Sequence, residues 1–432
     1  MKKITTRAVS VLLIAALVIV GLTVYVLRYI DNGQDWALYF SRANSGSTGQ
    51  IFDRNGVRLA TFTATENLYA ADEKIRIANY HVTGDYWGRT GTGVLSNFWK
   101  EMHGFSLITG TTQAESSVLT LSIDAALNVE AYKALRSDRK GAILLCDYTT
   151  GELLVMVSGP SVDPTDAAAE PPEGAYLNRC LSSVFVPGSV FKLVTAAAAI
   201  ENISDIDQRT FYCEGKYTVA GVDIICSGTH YTQTFEQALA NSCNVAFAQL
   251  AILLGQDTMV KYVSDYGFLA KHELDGISTA AGAYPTEFVG DPELGWSGIG
   301  QSTDMVNPFA LLRFVSAVGN GGVLCQPSLI LDGEPPEMER YMPAATADKL
   351  KEMMSYNVAA HYGGEKSFPG LNICAKTGTA ELGDGSTHAW FAGFLDDPAH
   401  PYAFVVLVER GGGGLSTAGS LANTLLQAAV GR

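Results

Sequence analysis

Ala8 to Leu27 is an uninterrupted run of 20 residues without a charge, preceded by Lys2, Lys3 and Arg7 and followed by Arg28. A run of that length spans the hydrocarbon core of a bilayer, where the backbone finds no water and a helix is the arrangement a single segment can adopt. The basic flank favours an inside N-terminus, which puts everything after Arg28 on the outer face. A cleaved signal peptide is the competing expectation, but the run exceeds an ordinary h-region and no small-x-small cleavage site follows it. The sequence thus predicts a single-pass plasma-membrane protein: residues 1–7 a cytoplasmic tail, 8–27 the anchor, and an extracytoplasmic remainder. Lipidation is not expected, because no Cys precedes Cys146.

The whole chain, 432 residues with 47% hydrophobic content, leaves room for about two or three domains with a large buried core. A formal charge of −15 argues against nucleic acid, since no basic stripe is available to neutralise phosphates. Seven cysteines, at 146, 180, 213, 226, 243, 325 and 374, lack C-x-x-C spacing, which gives a zinc site little support. Outside the membrane a disulfide can persist, and Cys213 and Cys226, flanking a turn-like stretch, are the candidates for one. Cys146 and Cys374 sit in apolar runs and read as buried thiols.

Residues 31 to about 49 are polar and read as a juxtamembrane linker. Gln50 to Ala60 reads as two short strands joined at Asn55-Gly56, and residues 61 to 120 as short strands and Gly-rich turns, so that 28–120 forms a linker and small N-terminal pedestal. Helical spacing from Ile123 to Leu135 opens the main domain, 121–432. A hairpin of buried strands, Gly141 to Asp147 and Glu152 to Ser158, follows. Helical sequence dominates from Ser189 to about Leu269. Asn372 to Ala380, Ala389 to Leu395 and Tyr402 to Glu409 are three further strands, and Thr417 to Ala429 a terminal helix. Strands at both ends of a unit with helices between them predict an α+β domain, an antiparallel sheet flanked by helices, with a cleft between sheet and helical region.

Three short motifs stand in this domain: Ser189-Val-Phe-Lys192, Ser242-Cys-Asn244 and Lys376-Thr-Gly378-Thr379, separated by gaps of 53 and 134 residues. Ser189 opens a predicted helix to Glu201, where free N–H groups and the dipole favour an oxyanion. Lys192 follows at i+3 on the same face of a nearly all-apolar helix, which buries it. Burial disfavours the ammonium form, and taking an amine from about 10.4 to about 7 or 8 needs roughly 3 to 4 kcal/mol of differential stabilisation. The plain alternative is a Ser N-cap with a snorkelling Lys.

With residue 243 pointing away, Ser242 and Asn244 can project together, the hydroxyl relaying a proton and the amide holding both Lys192 and a substrate carbonyl. The alternative there is an N-cap pair. Lys376 and the hydroxyls of Thr377 and Thr379 on a strand edge suit a carboxylate, and Gly378 lets another backbone approach. The N–H groups of Ser189 and Thr379 are the candidates for an oxyanion hole. A Lys on an edge strand is also an ordinary guard against aggregation.

At these residues the chain resembles the penicillin-binding proteins, specifically the monofunctional class B D,D-transpeptidases of the serine transpeptidase and β-lactamase superfamily. Gln50 to Ala60, Thr120 to Asp124, Thr150 to Leu154, Pro187 to Lys192, Gly298 to Gln301 and His388 to Gly393 are also similar to that family. Thr48-Gly49 departs from its usual Arg-Gly, and Val190 from a common Thr. The resemblance implies that Ser189 attacks a D-Ala-D-Ala stem terminus, releasing D-Ala and leaving an acyl-enzyme that a neighbouring amine resolves into a crosslink. It implies catalytic roles for Ser189, Lys192, Ser242, Asn244 and Lys376 and substrate contacts from Thr377, Gly378 and Thr379. β-Lactams would stall on Ser189, no metal or organic cofactor is needed, and a membrane glycosyltransferase of the wall machinery is the implied partner.

A serine β-lactamase would need a loop that activates a deacylating water. Asp291-Pro-Glu-Leu-Gly295 matches such a loop only superficially. A D,D-carboxypeptidase shares the motifs with water as acceptor. A β-lactam sensor or wall-assembly scaffold is the non-enzymatic alternative: sensors couple this domain to several spans and a zinc protease, and His272-Glu273 lacks the second His of H-E-x-x-H. A dead scaffold should have lost Ser189, Lys192 or Lys376.

Overall fold

The computed structural model describes residues 2–41, 49–62, 67–85, 87–98, 105–106, 110–111, 117–166, 170–331, 333 and 336–431. The contacts divide the chain into two units, a smaller one from residues 1–51, 60–68 and 98–119 and a larger one from 52–59, 69–97 and 120–432. Residues 52–59 and 69–97, read from sequence as pedestal, therefore pack within the larger unit.

The smaller unit begins with helix α1, Lys2–Ser41, of which Arg7–Tyr29 is long and apolar enough to cross a membrane and has no buried side chains. The helix runs past the expected anchor into what reads as linker, and the rest of that linker, 42–48, lies outside the described residues. Four short strands form a sheet in the order Asn67–Tyr69, Arg58–Phe62, Gly49–Phe52, Ser117–Thr120. The expected turn at Asn55-Gly56, which belongs to the larger unit, is present: Gly56 takes φ 77°, and Asp53 Oδ1 accepts from the N–H groups of Asn55 and Val57 at 2.9 and 2.7 Å.

The larger unit is built on five antiparallel strands. In chain order they are β1 Gly141–Asp147, β2 Leu153–Gly159, β3 Ile373–Glu381, β4 Thr387–Leu395 and β5 Tyr402–Val408, and across the sheet they lie β3-β4-β5-β1-β2. Sequence reading found these strands because β1, β2, β4 and β5 are buried on both faces and so read as nearly continuous apolar runs, while β3 opens on the buried Ile373-Cys-Ala375. One face, with Ile143, Leu145, Val155, Phe391, Phe404 and Val406, joins a core with helices α2, Ala125–Leu135, and, at the chain's end, Ser420–Val430. Asp124 caps α2, its Oδ1 accepting from Ala126 and Leu127 at 3.0 and 2.8 Å.

Side chains alternate across the strand, so Lys376 and Gly378 point to the opposite face from Ala375. The helix Pro308–Gly319 packs on the sheet. Helices α3, Lys192–Asn202, and α4, Asn244–Leu254, which carry motif residues, pack on one another, and α5, Ala344–His361, packs on α3 and on the edge strand β3.

Helical sequence is expected to dominate from Ser189 to about Leu269, and between Thr210 and Thr234 it gives way. Two strand pairs stand there, Thr210–Cys213 with Tyr231–Thr234 and Lys216–Val219 with Val222–Ile225. Their Thr, Tyr and Val content suits strands, but every strand is four residues long and half exposed, too short for a period to emerge.

Candidate active site

Ser189 lies on a 3₁₀ turn, Gly188–Phe191, that leads directly into α3. The predicted helix is present with a tighter first turn, and in 3₁₀ geometry positions i and i+3 eclipse. Ser189 and Lys192 are therefore stacked, Nζ to Oγ 3.1 Å. The turn is held by glycines. Gly188 takes φ 55°, and a Cβ there would sit 2.9 Å from both Ala380 Cα and Thr379 O; a Cβ on Gly300, at φ 78°, would fall 2.1 Å from Gly188 O.

Lys192 is fully buried. Its Nζ donates to Ser242 O at 2.5 Å and Asn244 Oδ1 at 2.7 Å, and lies 3.2 Å from Ser242 Oγ. Burial, and then the charge of Lys376, pushes this amine well below its ordinary value. Lys376, also fully buried, brings its Nζ to 3.0 Å from the same Ser242 Oγ, and desolvation lowers it to about 7. Two buried amines thus share one hydroxyl, and charging both together is disfavoured.

Ser242 adopts φ 51°, a left-handed conformation rare for a residue with a Cβ. This kink between the helix Phe235–Ala240 and α4 turns Ser242 and Asn244 toward Lys192 while Cys243 points away, as expected. The expected alternative, a Ser or Asn cap, is not what forms: Cys243 is the N-cap, its Sγ accepting from Ala246 N at 3.5 Å. The Asn244 amide has one N–H committed to Ile225 O at 2.8 Å, leaving its second free of that bond for a substrate carbonyl.

Lys376-Thr-Gly-Thr379 lies on β3, the edge strand of the sheet. The reason given above for Gly378 needs correction. A Cβ there would meet Pro187 O at 2.8 Å, Trp390 Cβ at 3.0 Å and Val190 Cγ1 at 3.1 Å, so the space it spares is filled by the chain's own nucleophile turn. Along the outer edge, Asn357 Nδ2 donates to Ala375 O at 3.2 Å and Thr377 N to Tyr362 Oη at 3.2 Å. Alternation then turns the Thr379 N–H to that same edge, at the Ser189 end of the strand.

Sequence reading missed Tyr362, whose hydroxyl also lies 3.1 Å from Thr377 Oγ1 and accepts from Lys376 Nζ at 3.5 Å. No motif surrounds it. Trp390, inside a stretch quoted above without a role, donates from Nε1 to Val186 O at 2.9 Å and so ties β4 to the approach of the nucleophile turn. Asp291 to Gly295 is not a loop at all but part of a helix, Asp291–Ser297, whose Glu293 accepts from Val289 N at 2.6 Å.

The cysteines bring a second correction. All seven are free thiols, so the Cys213–Cys226 bridge is absent. Cys146 and Cys374 are buried, as expected. The spacing that gave zinc little support is overridden by the fold, which gathers Cys213, Cys226, His230 and Cys243 with their ligand atoms within 4.8 Å of one another.

A family profile described as the penicillin binding protein transpeptidase domain matches residues 141–427. Among curated proteins, a peptidoglycan D,D-transpeptidase, PbpA, of Mycobacterium tuberculosis is 29% identical over 67% of this chain and 66% of its own length. Stage V sporulation protein D of Bacillus subtilis is 33% identical over 58% of this chain and 42% of its own. The chain therefore spans slightly under two thirds, or less, of these relatives. Among solved structures, a penicillin G acyl-enzyme complex of penicillin-binding protein A from M. tuberculosis superimposes with a TM-score of 0.72 at 25% identity, over 90% of this chain and 99% of that one.

Proposed function

The chain belongs to the penicillin-binding protein transpeptidase family, and we propose that it is a membrane-anchored serine D,D-transpeptidase that crosslinks peptidoglycan stem peptides and is acylated by β-lactams. The observation that carries this reading is the position of Lys192 Nζ, buried and depressed in pKa, 3.1 Å from Ser189 Oγ and 3.2 Å from Ser242 Oγ. A neutral amine at that distance is a general base for the serine.

Ser189 Oγ adds to the carbonyl carbon of the D-Ala-D-Ala peptide bond as its proton passes to Lys192. The N–H groups of Ser189 and Thr379 receive the oxyanion. The proton taken up by Lys192 passes to Ser242 as Ser242 hands its own to the departing D-Ala amine, the C–N bond breaks, and an ester to Ser189 remains. An acceptor amine then adds to the ester carbonyl, the C–O bond breaks, and the proton returns to Ser189. Asn244 steadies Lys192. Lys376 with the hydroxyls of Thr377 and Thr379 faces the stem carboxylate, and Gly378 lets the edge strand lie against the nucleophile turn. No step calls for a metal or organic cofactor.

The basic residues before the apolar run support an outward-facing catalytic domain. A crosslinking enzyme consumes glycan strands that something else must polymerise, which supports a membrane glycosyltransferase as partner.

Fluorescent penicillin should label the full chain for many minutes and leave Ser189→Ala unlabelled. Absence of labelling in the wild type would remove the active-site assignment, and rapid loss of label would point to a β-lactamase. Lipid-linked glycan strands with a D-amino-acid acceptor separate transpeptidation from hydrolysis: amine incorporation is expected, and release of D-Ala alone would make the protein a carboxypeptidase.

A further inference from the structure

Tyr362 touches two residues of the third motif without belonging to any motif. It follows directly on α5 as the C-terminal cap of that helix, its N–H donating to Val358 O at 3.2 Å. The ring is buried in the core on one face of the sheet, edge-on to Phe391 with centroids 6.0 Å apart. Packing thus fixes where the phenolic oxygen stands, beside Lys376 and Thr377.

The directions of its hydrogen bonds follow from what each neighbour is able to do. A backbone N–H only donates, and that of Thr377 reaches Tyr362 Oη at 3.2 Å, while Lys376 Nζ donates to the same oxygen at 3.5 Å. The phenol's own proton is left with Thr377 Oγ1, 3.1 Å away, as its partner. Burial pushes the phenol upward in pKa, so that proton stays in place at neutral pH. Thr377 Oγ1 therefore accepts on its inward side and turns its own proton outward.

Thr379 repeats the pattern two residues on, with its side chain on the same side of the strand. Gly414 N donates to Thr379 Oγ1 at 3.2 Å. Only glycine lets that loop come so close, since a Cβ on Gly414 would fall 2.5 Å from Gly378 O and 2.9 Å from Trp390 O. Among the described residues neither threonine hydroxyl has another hydrogen-bond partner, so both protons remain for a guest.

We infer that Tyr362, together with the Gly414 N–H, orients the two threonine hydroxyls as outward donors and so makes the subsite select the free carboxylate of a stem terminus over its carboxamide. A hydroxyl without an internal partner rotates to donate or accept and suits either group. Two directed protons both find acceptors on a carboxylate, through charge-assisted bonds. On a carboxamide one of them meets an NH₂, donor against donor, and a polar group is left unpaired. Lys376 is lowered to about 7 and so carries its charge only in part at neutral pH, whereas the directed hydroxyls select without it. Tyr362 acts through Thr377 and is a positioning residue.

This selectivity deepens the transpeptidase reading and rests on it. Benzylpenicillin and its carboxamide are the probes, each added to the full chain in detergent, with acylation followed by intact mass. The wild type should prefer the carboxylate by roughly a hundredfold. In Tyr362→Phe, which keeps the ring and its packing, acylation by benzylpenicillin should slow roughly tenfold while that by the carboxamide stays within about twofold, so the preference narrows. Thr377→Val should narrow it likewise, and Tyr362→Phe added to Thr377→Val should narrow it no further. Thr377→Ser, which retains the hydroxyl, should retain the preference. A general disturbance of the site slows both probes alike, and equal slowing in Tyr362→Phe would overturn the inference. Effects of the Tyr362 and Thr377 substitutions that multiply would overturn it as well. A wild type that neither probe acylates would remove the transpeptidase reading and the selectivity together. A wild type acylated by benzylpenicillin whose preference survives Tyr362→Phe would overturn the selectivity alone.

Discussion

Lys192 and Lys376 compete for Ser242 Oγ at 3.2 and 3.0 Å in surroundings that admit no water-like screening, and this competition sets the pH response. Both amines are lowered by burial, Lys376 to about 7. The protonated form of the base cannot accept from Ser189, so acylation should fall about tenfold per pH unit on the acid side of the limb and level off above it. That limb belongs to the pair rather than to either lysine, and the lowering of both amines brings it below the ordinary range of a lysine. A stopped-flow pH profile with a chromogenic cephalosporin checks this, and a flat profile between pH 5 and 8 would contradict a neutral amine base. Gly378→Ala should cost about 1–3 kcal/mol, read as a lower melting temperature, because its Cβ would press on the Pro187 carbonyl at 2.8 Å. Every residue of the three motifs was legible in the sequence, because each couples a reactive side chain to a neighbour within four positions. Tyr362 and Asn357 were not, since their partners are backbone atoms of a strand 15 and 18 residues further along.

Among the elements, the five strands and the helix Ala125–Leu135 were legible because burial on one or both faces leaves a run or a period in the chain. The cap of that helix carries a testable share of its stability. Asp124→Ala would free the N–H groups of Ala126 and Leu127 and remove the partner of Asn55 Nδ2, 3.0 Å away. A loss of about 1 kcal/mol is expected in thermal denaturation, with Asp124→Asn recovering most of it. The strand pairs at 210–234 were not legible, and with them went the cysteine cluster: spacing along the chain carries no information about ligands that separate hairpins bring together. The same holds for Gly188 and Gly300, whose glycine requirement comes from a carbonyl more than 100 residues away in sequence.

For the whole chain, the apolar helix and the catalytic unit should be separable in function. A variant lacking residues 2–41 should leave the membrane pellet for the soluble fraction while acylating with fluorescent penicillin at a rate within about twofold of the full chain, since no residue of the site lies before Pro187. Retention in the pellet would assign membrane attachment to another surface. The edge strand β3 has a consequence for the bond that is cut. Asn357 and Tyr362 occupy its outer hydrogen-bonding positions at Ala375 and Thr377, and the next outward-facing position is Thr379. A guest backbone aligning there meets a buffer stop, like a workpiece pushed against a fence, and cannot slip further along the strand. The fence is made of backbone positions, indifferent to the guest's side chains, so stems of varied composition would be brought to the serine at one fixed distance from their carboxyl end.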